Sequence, residues 1–298
     1  MVTVHAIRKK DADGKLSKPI EYEEAKDLLK QMRWENRIST GYEALDEVLG
    51  GLVRGNVTLI AGRPAMGRSS FALNMVSRIS RQLSGTILVI SPRFRADELT
   101  FRLLKIGTNL RADSFLDGSL PPETLSEKCA ECFHGRKSSI RFDTTTYLTL
   151  ENIWWHCNSI PDLRLVVIDN PEQIYTLNEN CWIDDRWRPT PMPIDHVLTS
   201  LQALALELYV PIVCTAYLKR SLEHRKNKRP KLTDLKKLHI LPDDLEQIIF
   251  LYRDRYYDYV SDEKAELIVA KNDYGKTGTV ELAWDYATCR FEEIQKAT

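Results

Sequence analysis

The sequence predicts an α/β fold: a mostly parallel sheet with helices on both faces, preceded by a helical extension. Three observations carry that expectation. Strand-length runs rich in Val, Ile and Leu alternate with segments of helical period. One such run, "NVTLIAG" (56–62), leads directly into a glycine-spaced turn and then a helix. The C-terminal stretch reads as strands joined by a glycine-containing turn.

Taken in order, residues 1–20 are polar. "EYEEAKDLLKQMR" then sets Ala25, Leu28, Leu29 and Met32 at i, i+3, i+4 and i+7. That is an amphipathic linker-type helix whose stripe must bury against its own domain or a neighbouring subunit. Residues 1–37 are therefore read as an N-terminal extension and 38–298 as the main domain. Within the latter, "SSFALNMVSRISRQL" (69–83), "ADELTFRLLKIG" (96–107) and "IDHVLTSLQALALELY" (194–209) read as helices. "GTILVIS" (85–91), "LRLVVID" (163–169), "VPIVCTA" (210–216) and "LEQIIFLYRD" (245–254) read as buried strands. There is no internal repeat and no low-complexity tract.

Composition excludes more than it assigns. Lys plus Arg and Asp plus Glu are both 42, so the net charge is zero and any nucleic-acid binding must come from a local patch. No apolar run approaches the ~18 residues of a membrane span. The N-terminus, "MVTVHAIRKKDADGK", lacks the apolar core of a signal sequence, so the cytoplasm is the expected compartment and no membrane partner is expected. Cys129 and Cys132 with His134 make half of a zinc motif. The candidate second half, His156 and Cys157, sits in a helical pattern, so reduced, unpaired thiols are expected.

The stretch "LIAGRPAMGRSS" (59–70) carries the chemistry. A strand running through Gly62, Arg63, Pro64, Ala65, Met66, Gly67, Arg68, Ser69 and Ser70 into a helix is the context of a phosphate-binding loop. Its glycines turn backbone N–H groups toward phosphates, and the helix N-terminus adds a favourable dipole. Ser69 is placed to hold Mg²⁺. Asp169, ending the buried strand "LRLVVID", is the second candidate for Mg²⁺. ATP and Mg²⁺ are the expected ligands. Where such loops carry lysine this one has Arg68, which keeps the charge but widens a compact ammonium into a planar fork. A tight strand-to-helix turn without ligand is the alternative.

"ISTGYEALDEVLGGLVRGNVTLIAGRPAMG" resembles the start of the RecA-like motor domain of DnaB-type replicative helicases. Its TG-x3-LD-x3-GG portion is shared more widely among RecA-like ATPases. "LALELYVPIV", "KRPKLTDL", "FLYRDRYYD" and "AKNDYGKTGTV" follow in the family's order, so the resemblance covers about residues 38–292. It implies a RecA-like P-loop NTPase domain. It also implies that the helix at 21–33 corresponds to the linker helix that docks on the next subunit of a ring, and that the partners are further copies or a helicase-type protein.

The resemblance also implies losses. The catalytic glutamate of the family's "SLE" sequence is replaced in Ser91-Pro92-Arg93, and a cation cannot take a proton from the attacking water. The family's arginine finger lies in an "AK-x-R-x-G" turn, which here runs Ala270 to Gly275 with Asp273 in the finger position and Lys271 and Lys276 nearby. Tyr217 stands at the γ-phosphate-sensing glutamine and Glu172 at a second family glutamine. By analogy Tyr252 or Arg253 flanks the base, with Arg253 counted in the nucleotide site. A general base contributes roughly 10²–10⁴ in rate, and an arginine finger roughly 10³–10⁵. Weak or absent hydrolysis follows, unless Asp97 or Glu98 replaces the lost glutamate.

For single-stranded DNA, "KRSLEHRKNKRPKLTDLKK" (219–237) holds nine Lys or Arg against two acids. In the family this region includes the channel loop that grips DNA, so the resemblance implies Arg225, Lys226, Lys228, Arg229, Lys231, Lys236 and Lys237 as phosphate contacts. The family's "DLRESGS" is Asp234 to Ile240 here, with the glycine lost and Lys237 in place of an acid. A solvated basic loop is the alternative. "NENCWIDDRWRPTPMP" (178–193) brings Trp182 and Trp187, which cover the protein's own surface, stack on bases or fill a partner's pocket. Three functions are compatible with all this. They are a nucleotide-binding ring subunit or assembly factor that hydrolyses poorly, an active helicase with relocated catalytic groups, and an interaction module that binds no nucleotide.

Overall fold

A computed structural model describes residues 36–116, 120–176, 182–183, 186–187, 189–258 and 263–294. The expected helix at 21–33 lies outside them, as do the side chains of Trp182 and Trp187. The chain divides into two compact units, residues 1–37 and 38–298, and everything that follows concerns the second.

Its elements begin with α1 (Glu43–Leu49), β1 (Val57–Gly62), α2 (Arg68–Gln82), β2 (Gly85–Ile90) and α3 (Ala96–Thr108). Next come α4 (Pro122–Phe133), β3 (Ser138–Asp143), α5 (Leu150–Asn158), β4 (Leu163–Ile168), α6 (Ile194–Leu208) and β5 (Ile212–Tyr217). The chain closes on β6 (Gln247–Tyr252), β7 (Lys264–Asn272), β8 (Gly278–Asp285) and β9 (Arg290–Glu293). Among the described residues these strands form one nine-stranded sheet in the order β9-β8-β7-β6-β1-β5-β4-β2-β3. The six strands from β6 to β3 in that order are parallel to their neighbours, while β7, β8 and β9 form an antiparallel meander on one edge. The expected α/β, RecA-like P-loop fold with a mostly parallel sheet is present. No helix among the described residues is long and apolar enough to cross a membrane.

The all-buried runs explain the parallel part. Every residue of β1 and β6 is buried, as strands covered on both faces must be. One core lies under α1, α2 and α3, around Tyr42, Phe71 and Phe291; the other lies under α5 and α6. Phe71 meets Tyr42 at 5.4 Å and Phe291 at 5.3 Å between ring centroids. The edge strand β3 escapes sequence reading because "SSIRFD" offers only two apolar residues, as an edge with one face toward solvent requires.

The segment before β1 has its own logic. Asp46 accepts hydrogen bonds from the Thr40 amide at 3.0 Å, the Thr40 hydroxyl at 2.8 Å and the Ser39 hydroxyl at 2.6 Å. Gly41 adopts φ +83°, and a Cβ there would lie 2.4 Å from the Arg78 side chain. The glycine and aspartate of "TGYEALD" thus serve local packing against α2.

Candidate functional site

The parallel strands deliver their C-terminal ends to one edge, where β1 turns through residues 63–67 into α2. Gly67, at φ 98°, caps that helix, and a Cβ on it would lie 3.0 Å from the Phe291 ring. The loop is therefore pressed against the β8–β9 hairpin. Buried Asn74 fixes this arrangement: its Nδ2 donates to the Cys289 and Ser70 carbonyls, both at 2.8 Å, and its Oδ1 accepts from the Phe291 amide at 3.2 Å. At the crest, Ala65 adopts φ 63°, and its carbonyl accepts from Arg253 Nη2 at 2.8 Å.

A cavity of about 320 Å³ opens above the loop. Pro64, Ala65, Gly67, Arg68, Ser69 and Ser70 form its floor, and Arg93, Phe94, Arg102, Tyr217, Arg253, Trp284, Tyr286 and Cys289 its walls. Arg68 is 4% exposed. Its guanidinium lies 3.6 Å above the Tyr217 ring, and its Nη1 is buried with no hydrogen-bond partner. Burial pulls its pKa down to about 10, partly opposed by the carboxylates of Asp169 and Glu172, so it is cationic at neutral pH. Arg93 donates to the Tyr217 hydroxyl. Arg253 stacks on Trp284, 4.8 Å from the ring centroid, and its buried Nε has no partner.

Arg63 is directed elsewhere, bridging Glu223 at 2.9 Å and donating to the Leu218 carbonyl at 2.6 Å. Met66 is buried in the core beneath the loop. Asp169 lies at the end of β4, 7% exposed. Its Oδ1 accepts from the Thr215 hydroxyl at 2.6 Å, and it does not line the cavity, whereas Ser69 does. Glu172 accepts from the Tyr217 amide at 3.1 Å, and burial raises its pKa. Asp97 and Glu98 open α3 but are paired, with Arg95 at 2.8 Å and Arg102 at 3.3 Å. Of the two residues expected beside a base, Arg253 lines the cavity. Tyr252 is buried, with its hydroxyl on Asp254 at 2.5 Å.

Asp273 is remote from this cavity. Gln247 at the start of β6 pairs with Asn272, and also with Thr58 near the start of β1. The β7–β8 turn therefore lies at the opposite end of the sheet from the loop. There Asp273 pairs with Lys271 at 3.1 Å.

The basic segment is folded into short turns over 220–224 and 232–238. Arg225 is paired with Asp234 at 2.9 Å, and Arg229 with Glu266 on β7 through two of its nitrogens. Lys228 lies 4.9 Å from the Tyr257 ring centroid, and Lys237 donates to the Ser221 hydroxyl at 2.8 Å. Lys226, Lys231 and Lys236 are exposed. His239, at the position where the resemblance calls for a glycine, adopts a left-handed backbone at φ 61°. Cys129 and Cys132 lie on α4, and no group of three metal-ligating side chains occurs among the described residues.

Sequence reasoning missed Phe94, Arg102, Trp284, Tyr286 and Cys289. Trp284 and its neighbours come from a hairpin more than 200 residues beyond the loop, and only the antiparallel meander brings them back. No local motif marks them.

A strand–loop–helix unit of this spacing on a RecA-like sheet defines a P-loop NTPase-type fold. Comparison with known proteins narrows the class. Residues 37–293 match the family described as DnaB-like helicase C terminal domain, and the chain belongs to that family. It is 29% identical over 264 residues to the replicative DNA helicase DnaB of Geobacillus stearothermophilus, covering 87% of this chain and 57% of that protein. It is 27% identical to the replicative DNA helicase DnaC of Bacillus subtilis over 264 residues, with the same coverage. The chain thus spans a little over half the length of these relatives. Among solved structures, a DnaB-like replicative helicase, from a structure also describing its interactions with primase, superposes with a TM-score of 0.76 at 26% identity. That match covers 93% of this chain and 69% of the other. A second solved chain, itself an ATPase domain, gives 0.76 at 25% identity over 92% of this chain and 99% of that one.

Proposed function

We propose that this domain binds ATP at the loop and hydrolyses it weakly or not at all, acting as a ring subunit or assembly partner in helicase-dependent DNA transactions. The observation that carries the reading is Arg93. It faces the cavity beside Tyr217, at the position where the family resemblance calls for a glutamate. A guanidinium attracts phosphate and cannot act as a general base. Binding itself is supported by Arg68, whose unpartnered buried Nη1 has the character of a donor awaiting an anion. Asp273, held by Lys271 at the far end of the sheet, stands where the family resemblance calls for an arginine finger and carries the wrong sign of charge to stabilise a phosphoryl group.

Single-stranded DNA binding is proposed on the exposed Lys226, Lys231, Lys236 and Lys237. A second reading has one observation in its favour. Glu172 is a half-buried carboxylate of raised pKa in the electrostatic reach of Arg68, and a relocated base would have such properties. Steady-state ATP turnover with and without single-stranded DNA, together with ATP binding by calorimetry, separates the possibilities. Binding without turnover is expected. DNA-stimulated turnover abolished by Glu172→Gln would establish the second reading instead, and absence of binding would leave an interaction module.

A further inference from the structure

Phosphate-loop sites ordinarily divide the neutralisation of a triphosphate between one lysine and a Mg²⁺ ion, the ion held by the loop hydroxyl and a carboxylate at the end of a neighbouring strand. The corresponding residues here, Ser69 and Asp169, do not fit that role. Ser69 lines the cavity but Asp169 does not. Asp169 is 7% exposed, and its Oδ1 is engaged by the Thr215 hydroxyl at 2.6 Å.

The cavity supplies positive charge by other means. Among the described residues its walls and floor carry four guanidiniums, Arg68, Arg93, Arg102 and Arg253, and no carboxylate. Arg102 is partly neutralised by Glu98. Arg68 and Arg93 rest on the ring and hydroxyl of Tyr217, and Arg253 on Trp284 and the Ala65 carbonyl. Two of these groups hold buried N–H donors with no partner, Arg68 Nη1 and Arg253 Nε. The direct contacts of Arg68, Arg93 and Arg253 are with neutral groups, although Asp169 and Glu172 act on Arg68 through space, and each planar fork can take a phosphate oxygen pair.

Resting on the nucleotide-binding reading above, we propose that this site holds the nucleotide's polyphosphate through its arginines without a divalent cation. Arg93 is the group that makes the difference, since a carboxylate there would oppose an uncoordinated triphosphate. The test is calorimetric titration of the full chain with ATP, in millimolar Mg²⁺ and again in excess EDTA, at fixed ionic strength. The two dissociation constants are expected to agree within about threefold. The variant Arg93→Glu, checked for an unchanged melting temperature, is expected to lose about tenfold or more of its affinity in EDTA and to recover part of it when Mg²⁺ is added. Binding by the unmodified chain that weakens about tenfold or more in EDTA would overturn the proposal and leave nucleotide binding standing. Binding in neither condition would overturn both.

Discussion

Two cationic regions of this domain behave in opposite ways. The segment 219–237 has the denser positive charge in the sequence, yet its two most promising arginines are occupied, Arg225 on Asp234 and Arg229 on Glu266. The phosphate loop and its surroundings show nothing comparable in the linear sequence, because Arg68, Arg93 and Arg253 are far apart along the chain. Folded together, they face one cavity, and their direct contacts are aromatic rings, a hydroxyl and a carbonyl. Free charge depends on what folding places opposite each cation, and a count along the chain does not report it.

The contrast can be broken most sharply at Arg68. Arg68→Ala removes a buried cation with an unsatisfied donor, and ATP affinity measured by calorimetry is expected to fall about 100-fold, the worth of two charge-assisted hydrogen bonds. At Arg225 the effect should appear in stability instead. Arg225→Ala strands Asp234, whose side chain is 7% exposed, and is expected to cost about 2 kcal/mol in denaturant unfolding. The salt dependence of single-stranded DNA binding should be unchanged by it. A combined Lys226→Ala, Lys231→Ala and Lys236→Ala variant should do the reverse, leaving stability alone and flattening the slope of log affinity against log salt by about 2, at roughly 0.7 per single-strand phosphate contact.

The smallest effect concerns Glu172. Burial raises its pKa in the folded state, so the folded protein binds that proton more tightly than the unfolded chain does. The group's contribution therefore favours the fold below the ordinary glutamate value and is lost as pH rises through the raised one. Glu172→Gln keeps an acceptor for the Tyr217 amide and removes the charge. Thermal melts across pH 4 to 8 should show the variant gaining on the unmodified protein as pH rises, with no gain at the acid end.

The parallel sheet, the loop and the helix after it are legible in the sequence because their signals are local: unbroken apolar runs, glycine spacing and helical period. At the loop, Arg68 stands out as a departure by its identity alone. Arg102, Trp284 and Tyr286 are not legible, because the antiparallel edge brings Trp284 and Tyr286 to the loop and tertiary packing alone turns Arg102 toward it. The pairing of Arg229 with Glu266 is invisible for the same reason, since the partners lie 37 residues apart on different elements. The left-handed backbone of His239 is likewise not legible, since a histidine in place of a glycine gives no signal of positive φ.

The proposal that this cavity binds nucleotide without turning it over is tested most directly by a single-turnover experiment. Protein in excess is mixed with γ-labelled ATP and single-stranded DNA, the complex is separated from free label, and the bound nucleotide is identified over time. Recovery of intact ATP on the protein over many minutes is the expected result. Prompt appearance of ADP and free phosphate, at rates of order 1 s⁻¹ or faster as in ordinary catalysis, would contradict it.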